Sequence, residues 1–470
     1  MSNHNIRLKD LSKLGYTDDR SRSIAIGILN KQSRHIAREL LIQTLTAIHQ
    51  QPQQWLQDEV WHKLAATLLP EEEEHNYIAY ELRSEQTAAP VKAFGSKHIE
   101  PAAKQQMQTC LRLPVAIQGA LMPDAHAGYG LPVGAVLAVE NALIPYGVGV
   151  DIGCRMALTL YDTGRNFLQR NTYQLKMALQ DYTHFGMEGG LPFSQEHEVL
   201  DRKEFSYTAL LKSLHGKAVR QLGTSGSGNH FVEFGNMLLY ADNLLGLPEG
   251  NYLAILSHSG SRGLGASIAQ HYTQLAMEQC RLPREARQLA WLDMNTEAGQ
   301  EYWLSMNLAG DYAKACHDRI HLNLAKVLGL KPVAKVENHH NFAWKESLPD
   351  GRTAYVHRKG ATPAHTGEAG IIPGNMIDGG FLVTGKGNST SLQSAAHGAG
   401  RAMSRKKAKE KFTQSSLKKL LSAAGVTLIG GSVEESPMAY KDIQTVMNAQ
   451  EELITIHGHF TPRIVRMNKE

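Results

Sequence analysis

Apolar residues recur near helical spacing in the first part of the chain. The pattern is clearest in SRSIAIGILNKQSRHIARELLIQTLTAIHQQ and returns in QQWLQDEVWHKLAATLL. It predicts a helical segment over residues 6–80, stopped by Pro70 and the acidic run Glu71 to Glu74. No reactive pattern falls in it, so an accessory or packing role is expected, the competing role being a contact surface for RNA or a partner. Residues 81–100, with Ala88, Ala89 and Pro90, read as a linker and entry strand. The pattern then changes. Short apolar runs bounded by glycine and proline predict buried strands at Val133–Val139 and at 148–152, 156–161, 253–256, 333–336 and 464–467. Residues 157–220 add amphipathic helices and a turn at Gly189 and Gly190, 266–330 are mostly helical, and 354–390 are β-rich. The expected class is α+β: a large single core of mixed β-sheets flanked by helices over 86–470, preceded by a small helical accessory segment over 1–85.

Composition narrows this picture only modestly. A chain of 470 residues can bury a large core. A net charge of +4 permits a local basic patch but does not itself argue for nucleic acid. The four cysteines, Cys110, Cys154, Cys280 and Cys316, form no CxxC pair and no dense framework. That argues for a reducing compartment, and cytoplasmic localisation is the expectation. The start, MSNHNIRLKD, has no apolar signal core, and no run of about 18 apolar residues exists to cross a membrane.

The chemistry gathers in glycine-rich loops beside predicted strands. Residues 121–156 carry two such loops, Asp124-Ala-His126 and Asp151-Ile-Gly-Cys154. A carboxylate three residues before a thiol can place both on one metal ion, although Cys154 alone reads first as a small buried hydrophobe, as most free cysteines are. GTSGSGNHFVE then delivers Asn229, His230 and Glu233, SHSGSRGLG delivers His258, and ENHHN delivers His340. Five ligands exceed one tetrahedral ion with an open position. They suit two neighbouring ions bridged by the Cys154 thiolate. The Gly398-Ala399-Gly400-Arg401 run reads as the start of a basic helix, whose backbone N–H groups and arginine suit a phosphate. With Arg401, the following Arg405, Lys406 and Lys407 could together neutralise backbone phosphates in a salt-sensitive contact, the two lysines reading first as a solvated helix face. His397 beside that phosphate offers a nitrogen nucleophile. A near P-loop at Gly380 to Lys386 is rejected, because Gly387 stands where a hydroxyl should hold magnesium and the intervening residues are strand formers. The residues alone therefore point to a dinuclear metal enzyme acting on phosphates.

MPDAHAGYG, GVGVDIGCRM, GTSGSGNHFVE, HSGSRGLG, HRKGAT, IIPG, HGAGRAMSR and AYKDI, in this order over residues 122–443, closely resemble the RtcB-type RNA ligases. The resemblance implies a GTP- and manganese-dependent ligase joining RNA 3′-phosphate or 2′,3′-cyclic phosphate ends to 5′-hydroxyl ends, in RNA repair or tRNA processing. His397 would be the residue that carries GMP. Asp151, Cys154 and His230 would hold one Mn2+, and Cys154, His258 and His340 the other. Asn229, Glu233, the Gly398, Ala399, Gly400 and Arg401 loop and Tyr440 would contact the nucleotide. Asp124 and His126 would support the site without binding metal. Broken tRNA or rRNA is the expected partner, with no membrane and a monomeric state as the working expectation. Three departures stand out: Arg155 where the family usually has a second glycine, Asn375-Met376-Ile377 after IIPG, and Lys469 before Glu470 instead of a terminal Lys-Gly. They motivate a divergent paralogue. They also keep open a non-ligating RNA-binding or tRNA-repair component with the same fold, while the two-metal logic alone would fit a phosphohydrolase.

Overall fold

Why the ligand-bearing residues meet follows from strand order. In a computed structural model describing residues 6–32, 36–69, 77–164, 166–187 and 190–469, the chain forms two compact units, Met1–Asn76 and Tyr77–Glu470. Pro70, the acidic run and Gly189 lie outside the described residues.

The first unit is helical, as the periodicity predicts. The long apolar pattern is divided between Asp19–Gln32 and Arg38–Gln50, accompanied by Leu8–Lys13 and His62–Leu68. Leu11, Leu29, Leu41, Leu45 and Leu64 close its core. Tyr16 is fully buried among them, its hydroxyl donating to the Leu45 carbonyl at 2.8 Å. Asp18 accepts from the Ser21 N–H at 2.8 Å, satisfying an N–H at the start of the second helix.

In the second unit, Ile78–Ala79 pairs in parallel with Cys280–Arg281, and the Tyr80 ring packs on Trp291 at 4.5 Å. These contacts draw residues 77–85, read from sequence with the helical segment, into the second unit. Two large sheets dominate it. The larger runs Ala334–His339, Arg155–Tyr161, Gly250–Ser259, Phe231–Leu239, Ile454–Met467, Gly380–Gly385, Ala369–Pro373, with Thr427–Ile429 paired to the long Ile454–Met467 strand. Its two end strands are stitched together by one side chain. Asn338 accepts from the Ile371 N–H at 2.8 Å and donates to the Ile371 carbonyl at 3.3 Å. Backbone groups that an edge would leave open are thereby paired. The second sheet runs Asn341–Ser347, Thr353–Lys359, Val133–Val139, Ala116–His126, Val91–Ala93. Helix Glu297–Leu328 is capped by Thr296 and ended by Gly329 in the left-handed region. It buries Tyr302, Met306, Tyr312, Ile320 and Leu324.

Two local expectations are corrected. Residues 148–152 do not form a strand: Pro145–Val148 is a helical turn, followed by a loop with Gly149 at φ 101° and Gly153 at φ 70°. Val148 and Ile152 are buried, so the apolar signal was real, but glycine at positive φ bends the backbone out of extension and presents Asp151. Gly398 to Gly400 does not open a helix either. Helix Arg405–Lys411 starts later, with the Ser404 hydroxyl accepting from the Lys407 N–H. Gly380–Gly385 is a strand, in keeping with the rejected phosphate loop.

Candidate metal and nucleotide site

Strand Gly250–Ser259 lies antiparallel between Arg155–Tyr161 and Phe231–Leu239, with His258 opposite both Met156 and Phe231. Cys154 and His230 therefore sit just before the starts of the two neighbours, at the same edge. Ala334–His339 is antiparallel to Arg155–Tyr161 and ends there too, His339 facing Arg155. His340 is the single residue between that strand and Asn341–Ser347, so it marks where the chain passes from one sheet to the other.

Four ligand-bearing ends thus converge. Cys154 Sγ lies 3.4 Å from His230 Nε2 and 3.2 Å from His258 Nε2. His258 Nε2 lies 3.2 Å from His340 Nε2, and His230 Nε2 lies 3.0 Å from Asp151 Oδ2. Two donor sets share the thiol: Asp151, Cys154 and His230, and Cys154, His258 and His340. Their chemistry fits cations. His258 Nδ1 faces the Asn229 carbonyl at 3.1 Å; a carbonyl only accepts, so Nδ1 carries the proton and Nε2 is a bare lone pair. Burial holds His258 down to about 3 and His340 well below its ordinary value, so both are neutral and able to donate a lone pair to a cation. Burial also pushes the Cys154 thiol well up, and the nearby Asp151 charge adds to this. A thiolate is stable here only against a bound positive charge. Burial opposes ionisation of Asp151, but the hydrogen bond and charge of His230 outweigh it and hold the carboxyl below its usual value.

Glycine makes the close approach possible at two positions. A Cβ on Gly260 would collide with the Asp151 carboxylate, and one on Gly226 with His230 Nδ1. The far face of the His258 strand is locked as well. His317 Nε2 lies 3.2 Å from the Ser259 carbonyl, which requires Ser257 to donate to His317 Nδ1 at 2.6 Å. Ser257 then accepts from His321 Nε2 at 2.7 Å, and Thr159 donates to His321 Nδ1 at 2.7 Å. This chain of neutral histidines fixes the residues on either side of His258.

His397 stands beside the cluster, its ring 4.9 Å from that of His340. Its Nδ1 is 2.7 Å from Asp124 Oδ2, which also accepts its backbone N–H at 3.2 Å. Asp124 is fully buried. The carboxylate thus keeps the proton on Nδ1 and leaves Nε2 with a free lone pair. Lys441 Nζ donates to the carbonyls of Ala125 and Pro123 at 2.8 and 3.2 Å, fixing the turn that carries Asp124. His126 lines the cavity outside both donor sets.

A cavity of about 330 Å³ is lined by all thirteen residues expected from sequence to hold metal or nucleotide: Asp151, Cys154, His230, His258, His340, Asn229, Glu233, His397, Gly398, Ala399, Gly400, Arg401 and Tyr440. Glu233 is buried, and desolvation pushes its carboxyl well above the usual range. Arg401 is more constrained than a free phosphate clamp. It donates to Glu435 at 3.2 Å, to the Glu434 carbonyl at 2.7 Å and to the Met403 carbonyl at 3.0 Å, and it lies 5.2 Å from the Tyr440 ring. The Tyr440 hydroxyl donates to Glu435. Any phosphate gripped by Arg401 competes with Glu435.

Arg155 is a cation beside the cluster, its charge opposing the rise of the Cys154 thiol and its guanidinium 3.4 Å from His339 Nδ1, but it does not line the cavity. It is buried, donating to the Gly310 carbonyl at 3.2 Å and pairing with Glu337 at 3.5 Å. Asn375 lines the cavity but spends its side chain on its own turn, bonding Asp378 and the Ile377 N–H. Lys469 is exposed and does not line the cavity, whereas Val465 and Met467 do. Sequence reasoning did not assign Lys359, Arg405 or Glu435 to the cavity. Lys359 lay in the quoted HRKGAT run, the one signal that could have found it. Burial lowers Lys359 to about 8.

The family model described as tRNA-splicing ligase RtcB matches residues 106–468. The chain is 33% identical to RNA-splicing ligase RtcB1 of Escherichia coli strain ATCC 25922 over 412 residues, covering 80% of this chain and 97% of that protein. It is 32% identical, with the same coverage, to RNA-splicing ligase RtcB of Escherichia coli K12. It is 30% identical to tRNA-splicing ligase RtcB of Nanoarchaeum equitans over 441 residues, covering 77% and 92%. The helical first unit lies outside the family match.

Proposed function

The chain belongs to the RtcB family of tRNA-splicing ligases, and from that premise we propose that it is a GTP-dependent RNA ligase joining 3′-phosphate or 2′,3′-cyclic phosphate ends to 5′-hydroxyl ends. The observation that carries this reading is His397. Its Nδ1 is held by the buried carboxylate of Asp124, and its ring stands against the metal-ligand cluster. Nε2 attacks the α-phosphate of GTP, forming a P–N bond and expelling pyrophosphate. An oxygen of the RNA 3′-phosphate then takes the GMP and frees His397. The 5′-hydroxyl attacks that activated phosphorus, losing its proton, and GMP leaves. A cyclic phosphate is first opened by water.

Asp151, Cys154 and His230 would hold one divalent ion, and Cys154, His258 and His340 the other. Bound, the pair supplies charge neutralisation for phosphate oxygens. The family resemblance favours manganese, although thiolate and imidazole ligands also suit zinc or cobalt. Asn229, Glu233 and Tyr440 would receive the nucleotide. The substrate class is broken tRNA or rRNA, and the compartment cytoplasmic. The non-ligating reading leaned on Arg155 and the altered tail, and Arg155 is buried outside the cavity lining. Incubation with labelled GTP and Mn2+, followed by peptide mapping, tests the proposal. An acid-labile GMP adduct on His397 is expected. No adduct, or one that survives His397→Ala, overturns the mechanism.

A further inference from the structure

Tyr129 projects from the loop between Ala116–His126 and Val133–Val139, three residues beyond His126, which lines the catalytic cavity. Its side chain is 72% exposed, far more than expected for a ring next to a buried site. The loop beneath it is nevertheless clamped. Glu100 accepts the Ala127 N–H at 2.6 Å. Gln106 accepts the Gly128 N–H at 3.1 Å and donates to the carbonyls of Gly128 and Gly130 at 2.7 and 2.5 Å. Gln288 accepts the Gly130 N–H at 3.2 Å. Lys359, itself a cavity residue, donates to the carbonyls of Tyr129 and Tyr146. Four side chains therefore hold the backbone of a loop whose aromatic ring stays exposed, with the Tyr146 ring 6.4 Å away. A ring fixed in this way loses little freedom when a flat group stacks on it.

The surroundings suit a nucleic acid strand. Val150, half exposed, lines both the catalytic cavity and an adjoining groove of about 680 Å³. Tyr146, Gln270, Thr273, Gln274 and Arg287 also line that groove. The ammonium of Lys359 lies 5.3 Å from the Tyr146 ring. A stacking surface, the Gln270 and Gln274 amides and the Arg287 guanidinium, with Glu278 as the one acidic side chain among them, thus continue outward from the catalytic cavity, a mixture that suits single-stranded nucleic acid.

We infer that Tyr129 is a stacking platform for an unpaired nucleobase of the RNA end entering the catalytic cavity, the strand continuing along the adjoining groove. This rests on the ligase reading above and adds to it where the terminal nucleotides lie. The test uses the full chain and a 3′-phosphate RNA joined to a 5′-hydroxyl RNA, with an abasic nucleotide scanned through the positions nearest the junction. Tyr129→Ala raises KM for RNA roughly 5- to 100-fold and moves kcat far less, while Tyr129→Phe and Tyr129→Trp keep KM near wild type. One abasic position costs the wild type a similar factor and costs Tyr129→Ala nothing further. An unchanged KM in Tyr129→Ala, or an abasic penalty that persists undiminished in it, overturns the inference. The ligase reading fails separately, if wild-type protein neither forms the GMP adduct nor joins RNA. In that event RNA carrying 2-aminopurine near its 3′-phosphate reads stacking directly: quenching lost in Tyr129→Ala supports the platform, and equal quenching removes it.

Discussion

His397 Nδ1 and Asp124 Oδ2 lie 2.7 Å apart although 273 residues separate them in the chain. The carboxylate is fully buried and also accepts the His397 backbone N–H. It sets both the tautomer and the direction of the imidazole. Asp124→Asn presents an amide that cannot hold the proton on Nδ1 in the same way. GMP-adduct formation is expected to fall roughly 10²- to 10⁴-fold, by analogy with the orienting carboxylate of a catalytic triad. Labelled-GTP single turnover measures it, and metal content should stay at the wild-type level.

Cys154 is the one side chain common to both donor sets. Cys154→Ala should therefore cost metal at both positions, whereas His230→Ala should spare the His258 and His340 side. Elemental analysis of purified protein, normalised to chain, distinguishes the two. Retention of two equivalents by Cys154→Ala would exclude a bridging thiolate.

Desolvation raises the Glu233 carboxyl, disfavouring its ionised form. If Glu233 receives guanine N–H donors, as the proposed function has it, these favour the ionised form and nucleotide binding should release a proton. GTP affinity is then expected to rise as pH rises toward the carboxyl's free-state value and to level off above it. Glu233→Gln should flatten that dependence and weaken GTP roughly 5- to 150-fold, the loss of about 1–3 kcal/mol from a paired base-edge contact. Isothermal titration across pH checks both points.

His365 Nδ1 pairs with Glu368 at 2.5 Å, and its Nε2 lies 3.8 Å from Glu346. Hydrogen bonds to these carboxylates raise His365 from 6.5 to about 9. A raised folded-state value means the stabilisation is fully present below about 6.5 and is lost as pH rises through about 9. His365→Gln should thus lower Tm at pH 6 and differ little from wild type at pH 10. Because the group is partly exposed, the shift should shrink in high salt. Scanning calorimetry over that range is the check.

Local sequence determined a good deal. Period and punctuation placed the helical first unit, strand Val133–Val139 and the strand character that ruled out a phosphate loop at Gly380–Gly385. Residue type and spacing picked out Asp151, Cys154 and the three histidines, because each alone suits a core position but together they form a donor set suited to two ions. The comparisons with known proteins then showed the family, which motif order had already suggested.

Tertiary structure decided what depends on which strands become neighbours. An apolar run at 148–152 looks like a strand until glycines at positive φ turn it into a loop. Arg155 directly follows Cys154, yet strand alternation sends its guanidinium to the Gly310 carbonyl and Glu337, outside the cavity lining. Arg401 appears free in sequence but is held by Glu435, which only the fold brings to it. Asp124 could be paired with His397 only through the fold, because hydrophobic period reports which face is buried and carries no information about which distant loop will meet it. The register of antiparallel strands around His258 carries that information, and it drew four separate strand ends into one metal-ligand cluster.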